Sequence, residues 1–452
     1  MKINPQIFRE YDIRGVVGKD LNPEVVKRLG LGFGTHMVGL GHTELVVGRD
    51  GRLSSDGFRD ALIEGLTSTG CNVVDIGVCP TPVYYFAIFH LDKGGGMMIT
   101  GSHNPPEFNG FKVSVGRSTI FGDEIQNLRR LIERGKFAAG KGILSQLEVV
   151  PYYQDYIKKN IQLEKKLRVV IDAGNGTAGS VAGPLLRDLG CEVDELYCEM
   201  DGRFPNHFPD PTLPDNLRDL IDRVKKTGAD VGIGYDGDAD RIGVVDDQGN
   251  ILWGDQLMIL FSRDILNSKQ GATFVAEVKC SQNLFADIER HGGKAIMWKT
   301  GHSLIKEKMK EEKAVLGGEM SGHMFFADRY FGYDDAIYAS CRLVELLSKT
   351  DGKLSQRLSD VPKTFITPEI RLDCSDETKF KVVETVKEAF KKDYPIIDVD
   401  GLRIEFGDGW GLVRASNTQP VLVLRFEALT QNRLKEIRSL VEEKVQQTMP
   451  LL

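Results

Sequence analysis

The chain has 452 residues, of which 41% are hydrophobic and 27% charged, and a formal net charge of -7. That length exceeds a single core and suits several domains, and the acidic balance excludes sequence-independent nucleic-acid binding, which needs a basic face. No run of about 18 apolar residues predicts a membrane span, and the start lacks the apolar stretch of a signal peptide; seven cysteines without Cys-x-x-Cys spacing predict reduced thiols in a cytoplasmic protein.

The first two-thirds alternate short apolar strands with amphipathic helices, the pattern of α/β layers. In a first unit, 1–149, strands are expected at Glu44–Gly48, Asn72–Gly77 and Gly96–Thr100. Ser54 is expected to cap a helix carrying Phe58, Ala61, Leu62 and Leu66 on one face. A second unit, 150–250, reads as strands Arg168–Asp172, Cys191–Leu196 and Asp230–Tyr235 with a helix at Ser180–Leu189. A third, 251–364, has a helix near Asp255–Leu266 and strands Thr273–Val278 and Ala314–Gly317. The fourth unit, 365–452, differs: a helix near Glu377–Lys391 precedes the strands Leu402–Phe406, Gly411–Arg414 and Val421–Phe426. A last helix carries Leu434, Ile437, Val441 and Val445 on one face. The expected fold class is α/β, three related units plus a C-terminal α+β domain with an antiparallel sheet.

Four loops carry chemistry. Thr100-Gly101-Ser102-His103-Asn104-Pro105-Pro106, with Asn109-Gly110-Phe111-Lys112 behind it, holds a serine at the carboxyl end of a strand, where α/β ligands usually sit. Gly101 is expected to let the backbone turn tightly there, although a plain polar turn would explain a lone Thr-Gly-Ser. Asp236-Gly237-Asp238-Ala239-Asp240-Arg241 follows the apolar run Val231–Tyr235, and three carboxylates so close repel one another unless a hard cation holds them. An EF-hand is excluded, because Arg241 and Asp247 stand where glycine and glutamate are needed; a solvated acidic turn is the competing reading. In Gly317-Gly318-Glu319-Met320-Ser321-Gly322-His323 the carboxylate, hydroxyl and imidazole alternate, so an extended backbone would aim them to one side, toward a sugar. Arg414-Ala415-Ser416-Asn417-Thr418 combines an arginine fork with small polar side chains, a pattern suited to a phosphate dianion or simply to a capped strand connection. A fifth segment points elsewhere. Gly174–Gly179 with Asp194 fits the dinucleotide fingerprint, but Asp172 stands just before the turn where an apolar residue is usual, so it reads as a glycine-rich strand–helix turn.

Taken together and in this order, these loops resemble the α-D-phosphohexomutase superfamily, and most its phosphomannomutase/phosphoglucomutase branch. The resemblance runs from Glu10-Tyr11-Asp12-Ile13-Arg14-Gly15 to Thr418. It implies four domains around a central cleft, and an isomerase that interconverts hexose 1- and 6-phosphates. It makes Ser102 the phosphoserine and assigns Asp236, Asp238 and Asp240, with a phosphoserine oxygen, to one magnesium ion. Glu319 and Ser321 then hold sugar hydroxyls, Arg414, Ser416, Asn417 and Thr418 the non-reacting phosphate, and Lys279, His302 and Tyr11 further substrate contacts. Arg14, His103, Lys112, Arg241 and His323 are the remaining catalytic candidates, with Lys112 or His323 as general base. A hexose 1,6-bisphosphate is implied as intermediate and primer, and hexose phosphates as the partners. Phosphoglucosamine mutase is the nearest rival; a metal-dependent serine phosphatase, an NAD-dependent oxidoreductase and a non-enzymatic sugar-phosphate binder are rivals of other classes.

Overall fold

A computed structural model describes residues 3–349, 351–416 and 420–449. Four sheets follow one another along the chain. The first has seven strands in the order Ile13–Val16, Phe108–Val115, Gly95–Ile99, Glu44–Arg49, Asn72–Val78, Leu144–Gln146, with Ser118–Thr119 on the second of these. Its middle strands are parallel, while Phe108–Val115 runs antiparallel to both neighbours. The second sheet orders Ile251–Leu252, Ile242–Asp246, Val231–Tyr235, Arg168–Asp172, Glu192–Leu196. The third orders Lys294–Trp298, Thr273–Glu277, Leu316–Gly318, Met324–Phe326.

The last sheet is antiparallel, built on Leu402–Glu405, Gly409–Ala415 and Val421–Ala428. It is covered by the helices Lys379–Phe390 and Gln431–Thr448. In the latter, Leu434, Ile437, Val441 and Val445 are all buried, as their spacing requires.

The elements read from the sequence lie within about two residues of the observed ones, but many others went unread, among them helices Thr81–His90, Asp123–Arg134 and Ala336–Ser348; three features are instructive. Helix Pro23–Gly39, capped by Asn22 Oδ1 accepting from Val25 N at 3.0 Å, went unread because four glycines mask its periodicity. Ser54 precedes helix Ser55–Thr67 without a side-chain cap; its Oγ accepts from Asn109 Nδ2 at 2.8 Å, tying the helix start to the strand behind the serine loop. Glu319–His323 is not extended. It is a hairpin turn closed by Gly322 N to Glu319 O and Glu319 N to His323 O, both 3.0 Å, so Glu319 and His323 face each other across its base with Ser321 at the tip.

The second and third sheets share one hydrophobic core with the helix Thr81–His90 of the first domain. That helix is apolar on every side and buried accordingly. Its first residue donates from Thr81 N to the carbonyl of Asp238 at 2.8 Å, so the interdomain core fixes the acidic loop. All seven cysteines are free thiols, and no helix among the described residues is long and apolar enough to cross a membrane.

Candidate active site

The serine and acidic loops meet where the first two domains touch. Ser102 is buried and held at φ +49°, a left-handed conformation that costs a non-glycine residue free energy and recurs at functional sites. Its Oγ donates to Asp236 Oδ2 at 2.8 Å and lies 3.0 Å from His103 Nδ1. Gly101 has a different purpose from the turn expected of it: a Cβ there would sit 2.5 Å from the guanidinium of Arg52. Gly237 serves the same end across the interface, since its Cβ would lie 2.5 Å from the carbonyl oxygen of Ser102. Both loops are stripped to backbone where they approach.

The three aspartates are fully buried, with ligand atoms within 4.8 Å of one another. Asp236 Oδ1 accepts from the backbone N–H of Asp240 (3.0 Å) and Arg241 (3.1 Å), and Asp238 Oδ2 accepts from Thr81 Oγ1 at 2.6 Å. Oδ1 of Asp238 and of Asp240 have no hydrogen-bond partner although buried. Orphaned carboxylate oxygens in a triad of like charges are what a hard divalent cation would satisfy. Burial first and then Asp240 and Asp238 lift the Asp236 pKa well above the carboxylate range. Lys112 pairs with Asp240 and lies 3.7 Å from Asp238. Burial opposes its charge, but Asp240 and Asp238 outweigh that and raise its pKa.

Arg241 donates from Nε to His323 Nε2 at 3.0 Å; an arginine N–H can only donate, so Nε2 of this histidine carries the lone pair. Its Nδ1 lies 3.3 Å from Asp334 Oδ2, near enough to orient the ring but outside good hydrogen-bond geometry. His302 stacks on His323 with ring centroids 5.7 Å apart. Burial, then Arg241 and Arg14, hold the His103 pKa well below the usual histidine value. Arg14 bonds Asn104 of the serine loop and pairs with Asp12.

A second group lines the third domain. Glu319 Oε1 accepts from Gly301 N at 2.6 Å, and Tyr11 OH donates to the neighbouring carbonyl of Thr300 at 2.8 Å. Burial, then Glu277, raise the Glu319 pKa. Lys279 lies between Glu277 (3.4 Å) and Glu369 (3.5 Å). From the last domain Arg414 pairs with Asp400, at 3.1 Å from Nε and 3.0 Å from Nη2, and the same Asp400 oxygen accepts from Thr300 N at 3.0 Å. Ser416 ends the described part of its loop; Asn417 and Thr418 lie outside the described residues.

The sequence reading missed Arg52, Thr81, Glu277, Asp334 and Asp400. Arg52 had a signal, standing just past the carboxyl end of strand Glu44–Arg49. The glycine-rich turn at 174–179 is used structurally: Thr177 donates to the Gly237 carbonyl from N (3.0 Å) and Oγ1 (3.2 Å), and Asp194 accepts from Arg223 at 2.8 Å. Its acid is thus committed to an arginine rather than to a ribose.

Models of four domains of one family match the chain in order. They are described as phosphoglucomutase/phosphomannomutase alpha/beta/alpha domain I (residues 5–139), domain II (151–249), domain III (253–365) and C-terminal domain (369–444). A phosphomannomutase/phosphoglucomutase of Pseudomonas putida is 46% identical over 447 residues, 99% of this chain and 96% of that protein. A phosphoglucomutase of Neisseria gonorrhoeae is 44% identical over 442 residues, 97% of this chain and 96% of that protein. Among solved structures, a phosphoglucomutase/phosphomannomutase family protein of Burkholderia thailandensis superposes with a TM-score of 0.94 at 42% identity, covering 99% of each chain.

Proposed function

Because the chain belongs to the phosphoglucomutase/phosphomannomutase family and is a mutase, an isomerase, we propose that it interconverts the 1- and 6-phosphates of glucose and of mannose through phosphorylated Ser102 and a hexose 1,6-bisphosphate. The observation that carries this reading is Ser102 Oγ, buried, strained and 2.8 Å from Asp236 at the edge of the acidic triad. Asp236, Asp238 and Asp240 would hold one magnesium ion, with a phosphoserine oxygen as a further ligand. Bound there, the ion supplies charge neutralisation on the phosphoryl oxygens.

Arg14, Lys112 and Arg241 converge on the same place and stabilise the charge spread over the transferring group. The sugar hydroxyl attacks phosphorus, the Ser102 Oγ–P bond breaks, and the hydroxyl proton passes to a base. His323 suits that role better than Lys112. Its Nε2 lone pair, which accepts from Arg241, is freed when Arg241 turns to the phosphoryl oxygens, whereas Asp240 and Asp238 hold Lys112 as an ammonium. The step balances when that proton reaches the released Ser102 Oγ. Neutral His103, 3.0 Å away, then donates from Nδ1 to the serine oxygen and orients it, while the serine hydroxyl donates to Asp236.

The bisphosphate must turn end for end before the second transfer, so the remote site has to accept either phosphate. Arg414 and Ser416, with Asn417 and Thr418 beyond the described residues, form that site. Lys279, His302 and Tyr11 add substrate contacts, and Glu319 and Ser321 hold ring hydroxyls. Arg414 and Lys279 are each paired with carboxylates, so an incoming dianion exchanges one anionic partner for another rather than charging an empty pocket. Hexose 1,6-bisphosphate serves as primer, and seven free thiols support a reducing, cytoplasmic setting.

The test is phosphorus NMR on glucose, mannose and glucosamine 1-phosphates with primer and magnesium. Glucose and mannose differ at carbon 2, and a site that must bind the sugar both ways round tolerates that hydroxyl rather than reading it. Their catalytic efficiencies are therefore expected within about a hundredfold. Turnover of glucosamine phosphate alone overturns the substrate assignment, and release of inorganic phosphate overturns the mutase reading. Ser102→Ala should lose both activity and the phosphorylated species in an intact-mass spectrum.

A further inference from the structure

A single guanidinium holds the serine loop from behind. Arg52 is 3% exposed. Its Nη1 donates to the carbonyl oxygens of Pro105 (2.6 Å) and Phe108 (2.9 Å), and its Nη2 to those of Ser102 (2.8 Å) and Asn104 (2.6 Å). Its Nε donates to Asp50 Oδ2 at 3.1 Å, and that same oxygen accepts from Gly101 N at 3.1 Å. Every N–H of the guanidinium is thereby engaged. Four carbonyls of one loop are thus drawn onto one cation.

The second domain closes over this arrangement. The Phe204 ring lies over the Arg52 guanidinium with its centroid 5.0 Å from Cζ. Two residues earlier, a Cβ on Gly202 would meet Gly51 O at 2.5 Å and Arg52 Cα at 2.7 Å, so the two backbones are in direct contact. Further along the same segment, Pro209 Cγ would lie 3.2 Å from a Cβ on Gly237 of the acidic loop. One stretch of chain therefore touches both the arginine behind the serine and the loop in front of it.

We propose that Arg52 is a positioning residue for phosphoryl transfer: clamped under Phe204, it sets the serine loop in register with the acidic loop while touching neither substrate nor the transferring group. The proposal rests on Ser102 being the phosphoryl carrier. Lysine cannot replace it, because an ammonium has its donors on one nitrogen and cannot span four carbonyls with a fork.

The experiment compares wild type, Arg52→Lys and Phe204→Ala by steady-state kinetics on glucose 1-phosphate and by hydrogen–deuterium exchange of the intact protein. A displacement of the serine by about 1 Å is expected to cut kcat about 100-fold in Arg52→Lys without raising KM, since the remote phosphate site is untouched. Phe204→Ala keeps the charge and removes the clamp, and is expected to give a smaller loss of the same kind. In both, peptides spanning 100–108 should exchange faster while those spanning 409–416 do not change. Wild-type kcat in both variants, or a raised KM at unchanged kcat, overturns the proposal. If Arg52→Lys does not fold, Phe204→Ala decides alone. If the wild type isomerises nothing, the functional reading has failed, and exchange at 100–108 still decides: faster supports the clamp, unchanged overturns it.

Discussion

Alanine at Gly237 offers a measure of how closely the serine and acidic loops must approach. The added Cβ would stand 2.5 Å from Ser102 O, 3.3 Å from Ser102 C and 3.2 Å from Pro209 Cγ. Against the nearest atom it falls about 1 Å short of van der Waals contact, and the proline prevents it from escaping the other way. The Ser102 carbonyl cannot yield freely, because Arg52 Nη2 holds it at 2.8 Å. The loops must therefore part by roughly that ångström, stretching the 2.8 Å contact between Ser102 Oγ and Asp236 Oδ2 past hydrogen-bond range. Overpacking of this kind costs about 1–3 kcal/mol of stability, and a misplacement of about 1 Å costs about 100-fold in rate. The assay couples glucose 6-phosphate formation to a dehydrogenase, with a thermal melt alongside. Gly237→Ala should stay folded, melt somewhat earlier and lose most of its kcat, with KM little changed. Wild-type kcat in this variant would refute the claim that backbone contact between the loops sets the geometry.

Other perturbations probe separate parts. Arg414→Ala removes a charge-assisted fork worth about 1.5–3 kcal/mol, so KM for hexose 1-phosphates should rise roughly ten- to a hundredfold; unchanged KM would make the loop merely structural. Asp238→Asn weakens the acidic triad and should shift the magnesium activation curve to higher concentration, whereas full activity after exhaustive chelation would exclude a metal. Asp335, the buried cap of helix Ala336–Ser348, accepts from Tyr153 and Tyr330, yet burial raises its pKa to about 7. A carboxyl with a raised folded pKa stabilises the fold fully below its unfolded value and loses that contribution as pH climbs to about 7. The melting temperature of Asp335→Asn should accordingly gain on the wild type between pH 5 and pH 8, and parallel curves would sink the assignment.

The amino-acid sequence alone determined the succession of α/β units and a final α+β unit, and it singled out the serine and acidic loops as candidates. Strands such as Arg168–Asp172 are short apolar runs bounded by turn residues, and helix Gln431–Thr448 shows its buried face by spacing alone. The triad Asp236, Asp238, Asp240 was legible as a candidate site because its carboxylates are neighbours in the chain, and Ser102 because of the loop around it, although the two meet across 134 residues. Local patterns misled where the backbone was assumed, as at Glu319–His323, whose alternation signified nothing once the segment folded into a hairpin turn. Only the tertiary structure disclosed what Arg52, Thr81, Asp334 and Asp400 hold, because the groups they hold lie elsewhere in the chain. Thr81 is 157 residues from the Asp238 carboxylate it serves, and Thr300 is 100 residues from the Asp400 that ties it to Arg414. Periodicity reports which face of an element meets apolar surroundings, but not which element supplies them. A buried carboxylate or guanidinium takes its partners from wherever packing brings them, so the groups that hold the site in place became visible only when the domains closed on one another.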